Sequence, residues 1–525
     1  MRQQGFRSTW LLLGLLGIGT SISLAQTSGT LEKAPAQQAT TAPLSEFWEA
    51  IYLQGSHVGH SHGVYRPFRG NLIQSSEELH LSLTRFGQQM KMDFRFGMYE
   101  SPSGKIQQFT IRQSMGREDE LVRAGVVEKN TVKITKTQGN QPVVTKNEPW
   151  NDEALGLYAM EQLYTKRELK PGLEFDFKTF SSDFNTVLNY HVKVGEQQPT
   201  DLLGGRNASF WRVAVKLQKI GDVQLPAMIC WVNDKGEVFK REQNIPGLGD
   251  LVFFRTRKDR AIPSGNAVIV NPGADIGFSQ LIRVNRSFTN FNQTKSVQYR
   301  VKLKDFEDIA TAFANEARQE VKVVSKDELD IISRRQHAPP ATTKAGVKLP
   351  AEYLRSSHFI TSDDPQVQRH AKAATGNERD PWQKALMIES YVHRKMTNKD
   401  YGKAFATAAE TARTLDGDCT EHAVLAAAMC RVVGIPSRTA IGLIHVPSER
   451  AMCFHMWFEV WIDGQWYSLD ATLGQGHIAG GHVKVLDAHW NDTDSFLPLL
   501  PVTRLLGKLK MDVLSVEYEA NAPPR

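Results

Sequence analysis

The chain has 525 residues, of which 41% are hydrophobic and 23% charged, with a formal net charge of +6. That length is too great for one ordinary core, so two or three domains are expected, and the composition excludes a disordered chain. Basic and acidic residues are interspersed with no Lys/Arg run carrying interleaved aromatics, which argues against a nucleic-acid partner.

Residues 1–25 have the pattern of an export signal. Arg2 and Arg7 form a basic start, an apolar run spans Trp10 to Ile18, and Ser23-Leu24-Ala25 places small residues where a signal peptidase reads. Removing the segment takes two Arg and no Asp or Glu, lowering +6 to +4. The apolar run is short for a spanning helix, and residue 26 is Gln, not the Cys of a lipid-anchored protein. No other segment approaches 18 uninterrupted apolar residues, so the expectation is a secreted or periplasmic protein without an integral membrane segment after signal removal.

Residues 26–44, rich in Ala, Thr, Gln and Pro, read as a flexible spacer. From Phe47 to about Leu303, within a β-rich domain placed at 45–336, the period of two dominates. Met90, Met92, Phe94, Phe96 and Met98 alternate with polar residues, as do Trp211, Val213, Val215 and Leu217, and Val297, Tyr299, Val301 and Leu303. Turn signals lie at Ser101-Pro102-Ser103-Gly104 and Asn233-Asp234-Lys235-Gly236. This pattern predicts a large, mainly antiparallel β-rich domain, a curved open sheet or half-barrel. Helical signals at Phe306 to Ala317 mark a transition, and residues 337–350 (HAPPATTKAGVKLP) read as a linker.

The texture of 351–525 is α+β. Asp380 before Pro381 predicts a capped helix carrying Ala385, Ile388, Val392 and Met396 on one face. A second helix opens near Cys419 and stops at Gly434-Ile435-Pro436, with strands following. The four cysteines, Cys230, Cys419, Cys430 and Cys453, permit two disulfides in an oxidising compartment but fall far short of a disulfide scaffold.

Three stretches carry chemistry: Asp416-Gly417-Asp418-Cys419-Thr420-Glu421-His422-Ala423, then Phe454-His455-Met456-Trp457, then Trp466-Tyr467-Ser468-Leu469-Asp470-Ala471-Thr472. Cys419 opens an Ala-rich helix, where unpaired N–H groups and the helix dipole favour a thiolate and can serve an oxyanion. Asp463-Gly464 is a preferred two-residue hairpin loop, so Ile462 is expected opposite Gln465. Counting back puts Trp457 opposite Asp470 and His455 opposite Thr472, making Asp470 a diagonal neighbour of His455. Met456, Phe458, Val460, Ile462, Tyr467 and Leu469 fall on the other, core-facing side. A carboxylate holding an imidazole that deprotonates a thiol is the generalised triad.

The runs GDCTEHAVLAAAMCRVVGIPSR and FHMWFEVWIDGQWYSLDAT resemble the nucleophile helix and the His and Asp strands of the transglutaminase-like superfamily, related to papain-like cysteine proteases. The resemblance covers roughly residues 350 to 520. It implies an α+β, transglutaminase-like domain over 351–525, with Cys419 as nucleophile, His455 as general base and acid, and Asp470 as orienting residue. It also implies a protein or peptide substrate and an acyl-enzyme route with no cofactor and no metal. Thr420 stands where animal transglutaminases carry Trp, and no Asp/Glu-rich calcium loop is present, so the bacterial secreted branch is the nearer match. Peptidase or amidase action and transamidation both remain open, as does a catalytically silent scaffold that serves as an extracytoplasmic binding protein.

Cys430 reads as a core residue. Cys453 shares the parity of His455 and could be a bystander, a redox partner of Cys419 or a competing nucleophile. His57, His60 and His62 read as a wet strand face and not a metal site. His477, His482 and His489 fit no metal spacing and take no role. Trp457, Trp461 and Trp466 line a cleft or pack under neighbouring strands. The sequence sets neither the oligomeric state nor the partner of the β-rich region.

Overall fold

The computed structural model describes residues 42–116, 119–139, 143–181, 186–220, 223–263, 275–340, 351–403, 405–491 and 497–519. The expected signal peptide, nearly all of the spacer and residues 341–350 of the expected linker lie outside the described residues. Two compact units form, one from the residues before 275 apart from 85–88, the other from 85–88 and 275 onward.

The N-terminal unit is built on a 14-stranded antiparallel sheet in which neighbours in sequence are neighbours in space. There are two exceptions: the first strand, Ser45–Leu53, pairs with the last, Gly249–Thr256, and the sequence neighbours Val144–Pro149 and Glu174–Ser181 form the two ends of the sheet. The period of two does the work expected of it: Met90, Met92, Phe94 and Met98 are buried, as are Val213, Val215 and Leu217. Both turn signals hold. Gly104 and Gly236 donate back to Ser101 and Asn233, and the Asn233 side chain accepts the N–H groups of Lys235 and Glu237. Residues Phe47, Tyr65, Tyr190 and Val215, from strands far apart in the order, line one cavity of about 110 Å³, so the sheet is curled over its apolar face. Buried charge on that face is paired. Glu49 meets Arg241 at 2.5 Å, and Arg255 holds Glu161 through two bonds of 2.7 and 3.2 Å.

The C-terminal unit is α+β. One antiparallel sheet places strand Ser437–Val446 between Ala451–Ile462 and His482–Ala488, with Gln465–Leu469 and Ile282–Arg283 also pairing on Ala451–Ile462. The helix Cys419–Val432 contacts this sheet and is buried along nearly its whole length. Ala423, Ala426, Ala427 and Ala428 let its neighbours approach closely. Helices Pro365–Thr375, Pro381–Lys395 and Ala408–Thr414 surround it. As the sequence predicts, Asp380 caps Pro381–Lys395 by accepting from the Gln383 N–H.

A second, four-stranded sheet runs Gln319–Val323, Glu328–Arg334, Thr294–Leu303, Leu509–Tyr518. Residues 275–334, read from periodicity as part of the β-rich domain of 45–336, therefore group with the C-terminal unit: Thr294–Leu303 pairs with a strand some 200 residues later. The helix expected over Phe306–Ala317 is also replaced, by a short 3-10 turn at Ile309–Thr311. Its backbone groups go elsewhere. Asp308 captures the Ala310 N–H, and Ala314 N–H donates to the Lys484 carbonyl.

Candidate active site

Cys419 is the first residue of its helix. Asp418 caps that helix through the Thr420 N–H, and Glu421 reaches back to the Asp418 N–H at 3.0 Å, completing a capping box. The cap fixes the direction in which the sulfur leaves the helix start. A buried carboxylate beside the Cys419 sulfur would oppose negative charge there. Asp418 is neutralised by Arg85 of the same compact unit, at 2.5 Å, with both side chains 1% exposed. Glu421 is pushed well above the carboxylate range by burial and by Asp418 next to it, so it carries the proton and not a second charge.

His455 and Asp470 come from the hairpin in the expected register, with Ile462 opposite Gln465 and Phe458 opposite Leu469. Asp463 and Gly464 both take positive φ, 50° and 85°, the geometry of a type I′ turn. Asp470 follows the last paired residue, and its Oδ2 accepts from His455 Nε2 at 2.8 Å. Cys419 is in side-chain hydrogen-bond contact with the same imidazole. The three residues that the sequence singles out thus form one chain of contacts, and they are nearly enclosed: 2% exposed for Cys419, 1% for His455 and 0% for Asp470.

Burial alone would depress the imidazole, but the charges of Asp470 and Cys419 override it and lift His455 to about 10. Burial would likewise raise Asp470, yet His455 and His482 hold it well below the carboxylate range. The arrangement can therefore keep a proton on His455 between an ionised carboxylate and a sulfur atom.

Sequence reasoning missed two residues around Asp470. Glu389, 1% exposed, accepts the Asp470 N–H at 3.3 Å and the Gly476 N–H at 2.8 Å. Burial first, then the Asp470 charge, raises it to about 8. Its signal was legible: Glu389 lies on the Ala385, Ile388, Val392 face, where a carboxylate is out of place. His482 donates from Nε2 to Asp470 Oδ2 at 3.1 Å. Nothing in local spacing marks it. Ligand atoms of His455, Asp470 and His482 lie within 4.8 Å of one another, a set that could hold a metal ion.

The remaining candidates separate cleanly. All four cysteines are free thiols. Cys430 is buried, and burial pushes it up. Cys453 packs in an apolar cluster with Ile444, Val446 and Leu473. Trp457 is buried with its ring edge-on to His482 at 5.4 Å, whereas Trp461 and Trp466 face each other, partly exposed, at the hairpin tip. His60 stacks on His80 in the N-terminal unit, and His477 Nε2 bonds to the Asn292 carbonyl. On the helix Cys419–Val432 His422 bonds through Nδ1 to the Asp418 carbonyl at 2.6 Å. Its Nε2 meets Lys399 Nζ at 2.9 Å.

Residues 368–471 match the model of the transglutaminase-like superfamily. No curated protein is similar enough to count as a match. Among solved structures, a cysteine-protease candidate from Cytophaga hutchinsonii is 16% identical. The alignment covers 43% of this chain and 89% of that one, with a TM-score of 0.28. A β-barrel-like protein from Brucella abortus is 13% identical over 40% and 95% of the two chains (TM-score 0.31). The periplasmic domain of TgpA from Pseudomonas aeruginosa, bound to ethylmercury, is 11% identical over 37% and 97% (TM-score 0.23). The matched stretch spans Cys419, His455 and Asp470, so the C-terminal unit contains a transglutaminase-like domain.

Proposed function

We propose that the chain is an exported cysteine-nucleophile enzyme that cleaves or transfers amide acyl groups, using Cys419, His455 and Asp470. One observation carries the reading. A cysteine at a capped helix start contacts the same imidazole whose Nε2 meets a buried carboxylate at 2.8 Å.

In the proposed cycle the Cys419 sulfur attacks an amide carbonyl, its proton having passed to His455. The helix start at Cys419, where the dipole favours negative charge, stabilises the tetrahedral oxyanion. His455 then protonates the leaving amine, the C–N bond breaks and a thioester remains. Water, deprotonated by the same imidazole, adds to the thioester and releases acid and thiol; a primary amine in its place gives a new amide. Asp470 stabilises the imidazolium throughout and does not itself take the proton. Hydrolysis is favoured, because an exported thioester meets bulk water and no acceptor-binding motif stands out in the sequence.

The test is a turnover screen of the full chain against peptide libraries, with and without a primary amine. Product amine released in both conditions supports a hydrolase, and amide exchange only with added amine supports a transamidase. Full turnover by Cys419→Ala would remove the nucleophile. Absence of any turnover, together with inert Cys419, would leave the scaffold reading.

A further inference from the structure

We infer that His482 is a positioning residue of this site, a second imidazole that fixes the Asp470 carboxylate for His455; the inference rests on the triad reading above. Asp470 has two oxygens and three donors. Oδ1 accepts the Thr472 N–H at 2.9 Å, while Oδ2 accepts both His455 Nε2 at 2.8 Å and His482 Nε2 at 3.1 Å. A carboxylate held by three donors from three directions cannot rotate without breaking one of them.

The fold brings the two imidazoles together across one residue that has no side chain. His455 lies opposite Gly442, and on the other flank of that strand Gly442 pairs with Lys484, two residues from His482. A Cβ at Gly442 would stand 2.1 Å from the Val483 carbonyl oxygen and 2.9 Å from the Trp457 ring. Trp457 in turn packs edge-on against His482. The strand start at His482 is pinned as well: its carbonyl accepts from Arg318 Nη2 at 2.7 Å and Ser333 Oγ at 2.6 Å.

The two imidazoles differ in charge for a physical reason. His482 is 1% exposed, and burial, joined by the positive His455 and Arg318 nearby, outweighs the pull of Asp470 and depresses its imidazole. A neutral imidazole has one N–H. It must sit on Nε2, facing the carboxylate, which leaves Nδ1 as a bare lone pair; no partner meets Nδ1 among the described residues. An imidazolium there would compete with His455 for the Asp470 charge. A neutral donor orients the carboxylate and leaves its charge to the catalytic histidine.

The experiment compares His482→Phe, which keeps a ring and loses the N–H, with His482→Gln, whose amide can still donate. Both are made in the full chain, alongside Asp470→Asn. For His482→Phe, kcat is expected to fall about 10- to 100-fold with KM within twofold, the loss of one charge-assisted hydrogen bond that matters in the transition state. His482→Gln is expected to recover at least tenfold of that loss. A folded His482→Phe with parental kcat would overturn the inference, as would equal losses in Phe and Gln. If His482→Phe does not fold, the Gln variant decides: activity near parental supports the inference, and a loss as large as that of Asp470→Asn refutes it. Parental turnover in Asp470→Asn would instead refute the triad itself, so the two failures are distinguishable.

Discussion

Glu389→Gln should change the sign of its effect on stability as pH rises. In the folded protein the carboxyl is raised from 4.5 to about 8, so its stabilising protonated state is fully present below 4.5 and is lost as pH rises through 8. Across that window the parent loses about 1.4 kcal/mol per pH unit from this group, roughly 5 kcal/mol in all. Gln cannot ionise, so it escapes that loss. It has a fixed cost, because Glu389 accepts from both Asp470 N–H and Gly476 N–H and an amide nitrogen facing one of them leaves a buried donor unpaired, about 2 kcal/mol. The variant is therefore expected to be about 2 kcal/mol less stable than the parent at pH 4.5 and about 3 kcal/mol more stable at pH 8. Equilibrium urea unfolding of both full chains at pH 4.5, 6.5 and 8 measures the difference. Taking the difference cancels the other groups that titrate in this range, among them His482 and His455. Parallel stability curves would show that Glu389 does not titrate between folded and unfolded states as its surroundings require.

The basic limb of kcat/KM should fall near pH 10, where His455 loses its proton, and not near 6.5; a descending limb at 6.5 would detach His455 from Asp470 and Cys419. Lys484→Met should destabilise by about 3–5 kcal/mol in urea, because Lys484 is 0% exposed and pairs with Glu459 and Glu316, and its loss strands buried carboxylate charge. Gly442→Ala should lower the unfolding midpoint and reduce kcat, since the new methyl meets the Val483 carbonyl and the Trp457 ring; parental values for both would show that the strand gives way easily.

What was legible in the sequence was local. Asp463-Gly464 is a turn whose φ angles only a few residues adopt, so it set the hairpin register, and with it the His455–Asp470 pairing, from two letters. The helix opening near Cys419 was legible in the same way, and in the structure Asp418 and Glu421 cap it. What was not legible was pairing over long separations. Thr294–Leu303 alternates like the strands before it, and nothing in it says that its partner is Leu509–Tyr518. His482 reaches Asp470 only because Ser437–Val446 lies between its strand and that of His455, a topology that no spacing encodes.

The central claim, that Cys419 is a nucleophile activated by His455, is tested most directly by competitive labelling of the folded full chain at pH 7 with substoichiometric iodoacetamide, the modified residues being located by peptide mass spectrometry. Burial pushes Cys230 up to about 11 and raises Cys430, and Cys453 is enclosed by Ile444 and Leu473. Cys419 is therefore expected to take the label first, and His455→Ala should slow it by an order of magnitude or more, roughly the scale of losing a positioned base. Labelling of Cys419 no faster than the other three, or a rate unchanged in His455→Ala, would contradict the account.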